Sequence, residues 1–450
     1  MITLLRKPIK TLIIIAILPL SGHSQALEKY VDEGLKNNLV LQQKNISAES
    51  AMYSLKEARS MFLPSVSLLG DYQSGEGGRS IAFPVGDLLN PVYTTLNQMT
   101  GSNSFPHLDN VDINFLPNNY YDVKFRASMP LLNTDVIYNK KIQSSQAEMK
   151  QAEVEAYRAE LTKEIKTAYF NYISSINAIV IYEKASELAR QGKRITDRLA
   201  ANGKAVPAYV IRSESELQQM EAKRKSAIQQ SENAKMYFNF LLNADLNRSI
   251  DTTGSSNTDL SLIQSEISEE ASVTRRSELK VLSDAEAAYD NARKLSSAYY
   301  IPKIAAYADY GSQASDWLYN SETRYYFAGV HFELPLFSGG QNTFKRKRAE
   351  NALKNQQLFT ESTTKQLTLA ARAAKNNLIS ALEVYQSSLK TEESARSYDR
   401  LIQKGYAEGI NSFIESIDAR NQLTIASIQR VISENNLRIA QANYERETQR

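Results

Sequence analysis

The side chains able to do chemistry are few, and their spacing suits electrostatics better than catalysis. The 450-residue chain has no cysteine and three scattered histidines, His23, His107 and His331. That is too little thiolate and imidazole for a zinc or iron–sulfur site or a thiol nucleophile. Carboxylates are abundant, with 50 Asp and Glu, and one pair stands out, Glu415 and Asp418. Residues three apart share one face of a helix, which makes a charged surface but supplies no pocket for acid–base hydrolysis. Carboxylates at a helix start are also favourable simply because they face the positive end of its dipole. No nucleotide or cofactor fingerprint occurs. The expectation is a chain that is not an enzyme and needs no cofactor or metal.

Composition narrows the class further. Charged residues are 23%, hydrophobic residues 42%, and the formal charge is +3, which excludes a disulfide scaffold, a disordered polyelectrolyte and a strongly basic nucleic-acid binder. Residues 1–24 carry Arg6, Lys7 and Lys10, an apolar run from Leu12 to Leu20, then Ser21, Gly22 and Ser24. This reads as a secretory signal peptide, its apolar core about half the length a membrane-spanning helix needs. Without it, 50 basic residues balance 50 acidic ones.

The elements that hold these residues fall into two kinds. Long stretches rich in Ala, Ser, Gln, Glu, Lys and Leu read as helices near 27–60, 135–201, 207–243, 268–299, 340–403 and 411–447. Short stretches rich in Tyr, Phe, Gly and Pro read as strands and loops. Leu161, Ile165, Ala168, Tyr172, Ser175, Ile179 and Tyr182 follow a 4,3 spacing, as do Leu367, Ala371, Ala374, Leu378, Ala381, Tyr385 and Ser388. These are coiled-coil-like seams that mix large with small residues.

The pattern occurs twice. Leu63-Pro64 through Asp71-Tyr72 returns as Ile301-Pro302 through Asp309-Tyr310, Met129-Pro130-Leu131-Leu132 as Leu334-Pro335-Leu336-Phe337, and Gly203 as Gly409. The offsets of 238, 205 and 206 residues differ by one insertion between residues 72 and 120. The chain is expected to divide into a first repeat at 25–244, a linker at 245–267 and a second repeat at 268–450.

Tyr121, Val123, Phe125, Ala127 and Met129 alternate with Asp122, Lys124, Arg126 and Ser128, and Tyr326 to Leu334 alternates similarly. A soluble half-buried strand would look the same. Four such strands in a secreted chain, with Tyr72, Tyr120, Tyr121, Tyr299, Tyr300, Tyr310, Trp317, Tyr325 and Tyr326 near their ends, favour an outer-membrane barrel with aromatic girdles. Four strands cannot close a barrel, so the chain must oligomerise.

In these motifs, and in Tyr406-Ala407-Glu408-Gly409-Ile410-Asn411-Ser412-Phe413-Ile414-Glu415-Ser416-Ile417-Asp418, the sequence resembles the TolC family of outer-membrane efflux proteins over essentially the whole mature chain. The resemblance implies an α+β membrane protein with four transmembrane β-strands per chain in a trimeric 12-stranded barrel, continued by a coiled-coil periplasmic tunnel. It implies the exit duct of a tripartite efflux or type I secretion system, driven by an inner-membrane pump of RND or ABC type through a periplasmic adaptor, with no nucleic acid involved. It also implies that Glu415 and Asp418 narrow the periplasmic gate, that Tyr406 holds it closed, and that Gly203, Val206, Gly409 and Asn411 at the hairpin tips meet the adaptor.

Two positions depart from the family's pattern. Tyr209 stands where an aspartate would bond the neighbouring tip, and Asn411 replaces a basic partner, so Tyr209 and Tyr406 are expected to pack together or share hydrogen bonds. The first extracellular loop, 73–119, is expected to form an ordered but irregular lid, with His107 on its surface. A structural or adhesive coiled-coil protein of the envelope is the alternative, and a carboxylate hydrolase a weaker one.

Overall fold

A computed structural model describes residues 25–116, 118–252, 260–408 and 410–449. In chain order the elements are α1 (Gln25–Asn37), α2 (Leu39–Ser60), β1 (Ser65–Gln73), β2 (Ser80–Phe83), α3 (Val85–Thr100), β3 (Val111–Asn114), β4 (Tyr120–Leu132), α4 (Thr134–Ala201), α5 (Pro207–Leu241), α6 (Leu260–Ser268), α7 (Ser277–Ser297), β5 (Lys303–Ser315), β6 (Arg324–Glu333), α8 (Gln341–Ala407) and α9 (Phe413–Thr448). The signal segment 1–24 and Gly409 lie outside the described residues. The chain divides into two compact units, one of residues up to Ser50, Ala147–Ala285 and from Gln356 on, the other of Ala51–Gln146 and Glu286–Asn355.

The first unit is helical. At 1.5 Å per residue, α4 with its 68 residues and α8 with its 67 are each about 100 Å long. No described helix is long and apolar enough to cross a membrane. The 4,3 seams are buried in part: Leu161, Ile165 and Ala168 on α4 and Ala371, Ala374, Leu378, Tyr385 and Ser388 on α8 are buried, whereas Tyr172, Ser175, Ile179 and Tyr182 farther along α4, and Leu367 and Ala381 on α8, are half-buried. Each seam belongs to its own core. Leu161 and Ile165 pack with Leu41, Phe238 and Leu242, whereas Leu378 and Tyr385 pack with Ile263, Leu437 and Tyr444. Small residues bring helices close, as where Ser388 Oγ lies 2.6 Å from Ser433 Oγ.

The helix expected near 27–60 is two helices meeting at Asn38. The Asn38 side chain accepts from the backbone N–H groups of Val40 and Leu41, at 3.0 and 3.1 Å, and donates to the Leu241 carbonyl at 3.0 Å. An asparagine that caps α2 while tethering α5 explains a break that periodicity alone does not show. Residues 245–267, expected to be a linker, include α6, whose Ile263 is buried in the second core.

The second unit holds a four-stranded antiparallel sheet in the order β1-β4-β5-β6. The 73–119 loop is more regular than expected, because β2 and β3 pair as a small antiparallel ribbon and α3 lies between them. Two asparagines on α3 hold the return segment by both edges of their amides. Asn90 donates to the Leu108 carbonyl and accepts from its N–H, both at 2.8 Å, and Asn97 does the same with Phe105 at 2.8 and 3.1 Å. Such side-chain clamps replace strand pairing and carry no periodic signal. His107 sits beside Asn90, at 3.5 Å.

Candidate functional site

Two regions collect the residues singled out from the sequence: the faces of the sheet in the second unit and the hairpin tips in the first.

The pairing registers decide what each sheet face carries. Leu68 lies opposite Phe125, Phe125 opposite Tyr310, and Tyr310 opposite Tyr326, so one row of large apolar groups crosses all four strands. Val66, Val330 and Phe332 extend that face, and the side chains stand open, Val66 by 70% and Tyr326 by 86%. A soluble monomer rarely leaves such a continuous apolar surface uncovered. Tyr72 and Trp317 stack at the loop end of the sheet, and Tyr299 and Tyr300 meet edge to face before β5 at the other.

The opposite face is polar and internally paired. Arg126 lies directly across from Asp309 and donates to both its carboxylate oxygens, at 2.7 and 2.6 Å. Lys124 bonds Asp122, and Tyr325 reaches across from β6 to donate to the same carboxylate at 2.6 Å. Between Lys124 and Tyr325 in the register sits Gly311, and a Cβ there would collide with Lys124 and the Val123 carbonyl. The alternation in sequence gave each strand two faces, but only the register brings Arg126 to Asp309.

At the first tip, α4 ends at Ala201 and the chain turns through Gly203, whose φ of +67° is left-handed. Lys204 then donates to the Leu199 carbonyl at 2.8 Å, closing the helix end as glycine permits and other residues resist. Val206, half exposed, precedes Pro207 at the first position of α5, where its missing N–H costs nothing.

At the second tip the N–H groups of Ile410 and Asn411 both donate to the Gly405 carbonyl, at 2.7 and 3.1 Å. A Cβ on Gly405 would overlap the Asn411 side chain, so Asn411 is held inside the turn. Ser412 caps α9: its hydroxyl accepts from the Glu415 N–H at 3.2 Å, and Glu415 Oε2 accepts from the Ser412 N–H at 2.6 Å. This is a capping box. The Ser412 N–H, seconded by the Ser412 and Asn411 side chains, holds the Glu415 carboxyl below its ordinary range. Asp418 is exposed one turn on, accepting from Gln422 at 2.7 Å. The two carboxylates share an exposed stretch, and Glu415 also serves its own helix.

Tyr209 and Tyr406 do not form a ring pair with each other among the described residues; both pack on Phe413. The centroid separations to Phe413 are 5.0 Å from Tyr209 and 6.3 Å from Tyr406. Phe413 is buried, and burial raises the Tyr406 hydroxyl pKa, with Arg420 opposing. Periodicity does not single out Phe413 in the sequence, although its place just after the cap residue is a usable sign.

Nor does any periodic signal single out Arg420. From α9 its guanidinium donates to the Leu188 carbonyl on α4 at 2.9 Å and to Ser416 Oγ at 2.9 Å. Gly192 leaves the space for it, since a Cβ there would stand 2.6 Å from Nη1. Burial pulls the pKa of this arginine down, with Asp399, Tyr406 and Glu216 opposing. Ser416 further exchanges two hydrogen bonds with Gln403 on α8, at 2.8 and 2.9 Å. Among the described residues no cluster of His, Asp and Glu is arranged to hold a metal ion.

A four-stranded sheet with one open apolar face, in a chain of very long helices, is a fold that solved outer-membrane channels share. Similar architecture occurs in a membrane protein from Pseudomonas aeruginosa, with TM-score 0.77, 16% identity and coverage of 94% of this chain and 93% of that one. It occurs in the CmeC outer membrane channel of Campylobacter jejuni, with TM-score 0.74, 16% identity and coverage of 94% and 85%. The outer membrane protein VceC of Vibrio cholerae has TM-score 0.74 at 13% identity, with 95% and 97% covered. No curated protein sequence matches the chain significantly. Residues 270–446 match the sequence model of the outer membrane efflux protein family, in agreement with the resemblance of the motifs. The family is one of outer-membrane transport proteins and not of enzymes.

Proposed function

We propose that this protein is the outer-membrane exit duct of a tripartite efflux or type I secretion system, working as a homotrimer. The observation that carries the reading is the sheet: apolar on one face, ion-paired on the other, with β1 and β6 at edges that no described strand pairs. Open edges are not tolerated in lipid, and four strands are too few to close, so β6 of one copy pairs with β1 of the next. Three copies give a 12-stranded barrel with the Arg126–Asp309 face lining the lumen. The two repeats, each of helices and paired strands, arise by duplication.

Transport is passive, and its energy comes from an inner-membrane pump, of RND or ABC type, reached through a periplasmic adaptor. The tips around Gly203, Val206, Gly409 and Asn411 are the adaptor contact, a role suited to the exposed aliphatic side chains of Val206 and Ile410. Tyr406 and Tyr209, through Phe413, brace the closed gate. Glu415 and Asp418 from three copies set about six carboxylates around its axis, attracting cations and repelling anions.

The test is electrophoresis without boiling, combined with planar bilayers. Trimers that dissociate on heating, together with channel currents, are expected. A monomer that needs no detergent and passes no current would overturn the duct and favour an envelope coiled-coil protein.

A further inference from the structure

The apolar face of the sheet is not uniform. At its loop end a groove of about 350 Å³ opens beside Val123, Phe125, Tyr310, Trp317 and Tyr319, with Arg324 at the rim. Three features set it apart from a plain lipid-facing surface.

The first is its wall. Trp317 stacks on Tyr72 and on Tyr121, with ring centroids 5.3 and 5.7 Å apart and planes within 12° of parallel. Holding it there strains the chain, for Trp317 has a φ of +55°, a left-handed conformation unusual for so large a side chain, next to Asp316 at the same φ, which aspartate tolerates better. The turn is fixed from outside by Asn119, whose carbonyl accepts from the Asp316 N–H at 2.8 Å and whose amide donates to the Asp316 carboxylate at 2.7 Å.

The second is that the polar atoms of the wall are satisfied within the protein. The Tyr121 hydroxyl donates to the Leu318 carbonyl at 2.6 Å and lies 3.0 Å from Ser312 Oγ, which in turn lies 2.8 Å from Thr323 Oγ1. None of them needs a ligand.

The third is Arg324. It stands on the same face as Tyr326, is exposed, and lies over the Tyr319 ring at 5.6 Å. Among the described residues no carboxylate comes within ion-pair distance of it. A cation without an anion, fixed at the aromatic end of a surface that faces acyl chains, calls for a headgroup of opposite charge.

We propose that this groove binds one anionic phospholipid, its acyl chain lying along Phe125, Tyr310 and Trp317 and its phosphate held by the Arg324 guanidinium. The proposal rests on the sheet spanning the membrane. Planar, bidentate recognition of phosphate suits arginine, and the flanking rings give the chain a rigid apolar bed.

Trp317 is the sole tryptophan of the chain, so its fluorescence reports on this groove alone. The full chain is reconstituted in phosphatidylcholine vesicles containing a minor fraction of brominated lipid, which quenches on contact. Brominated phosphatidylglycerol is expected to reach half-quenching at about one fifth of the fraction needed by brominated phosphatidylcholine, the preference one surface cation confers. Arg324→Gln should bring the two lipids level while leaving heat-modifiable trimers intact, and Arg324→Lys should keep a reduced preference. Equal quenching by both lipids in the wild type, or a preference unchanged in Arg324→Gln, overturns the lipid site and leaves the barrel untouched. Quenching by neither lipid overturns the membrane-spanning sheet and the site with it.

Discussion

The ring of Tyr209, in the first turn of α5, packs 5.0 Å from that of Phe413, the first residue of α9. Phe413 also receives Tyr406 from the end of α8, so one buried ring links the ends of three helices. A direct bond between the two tyrosines would have made each indispensable. A shared phenylalanine moves that role to the middle of the cluster.

Phe413→Ala should therefore loosen the tips more than either tyrosine replacement. Removing a buried phenylalanine costs about 3–5 kcal/mol, and the expected readout is higher resting conductance with faster proteolysis of the turns at 202–206 and 408–412. A Tyr209→Ala, Tyr406→Ala double variant should approach the same state. Wild-type conductance in that double variant would rule out an aromatic brace.

Glu415 has two roles that substitution can separate. Glu415→Gln removes the charge but keeps an acceptor able to close the capping box, so cation preference should fall in bilayer recordings while helix α9 keeps its start. Ser412→Ala should do the reverse, leaving the charge and costing the helix about 1 kcal/mol, seen as faster amide exchange near Glu415. The Glu415 carboxyl is lowered from its ordinary 4.5. Its contribution to tip stability is therefore complete above that value and is lost as pH falls through the lower, folded-state pKa. Exchange at the tip should accelerate on acidification, and Glu415→Gln should abolish that dependence.

Arg420 clasps α9 to α4, and Gly192 is its seat. Gly192→Ala should expel the guanidinium and reproduce the phenotype of Arg420→Met, with the double variant no worse than either alone, because both remove one interaction. Arg420→Lys should not rescue it, since a lysine has one nitrogen to satisfy both Leu188 and Ser416. Additive effects on conductance would mean that the glycine acts elsewhere.

On the sheet, Asp309→Ala should lower the temperature at which the proposed trimer dissociates, because Arg126 loses both oxygens it holds. Exchanging the pair, Arg126→Asp with Asp309→Arg, should recover part of the loss. A swap no better than the single variant would show that position on the strand matters more than charge.

Local pattern made much of this legible in advance. The 4,3 seams on α4 and α8 and the alternation on β4 and β6 are periodicities, which any chain must show to bury one face of an element. Pro207 and Gly203 marked the first turn, and Glu415 and Asp418 share a face by spacing alone. What escaped were the side chains that bind backbone far away in sequence: Asn38 on Leu241, Asn90 on Leu108, Arg420 on Leu188. A polar residue that tethers one element to another has no period, and its composition is that of any exposed residue.

Amino-acid order alone was enough for the long helical stretches, the two-faced character of the strands, the scarcity of catalytic side chains and the resemblance carried by the repeated motifs. Only the packed chain shows which carboxylate meets Arg126, that Phe413 stands between Tyr209 and Tyr406, and that Arg324, in the groove with Trp317, has no counter-ion among the described residues. Periodicity reports which way a side chain points relative to its own axis. Partners depend on register and on the approach of helices, which are set by the packing of the whole chain.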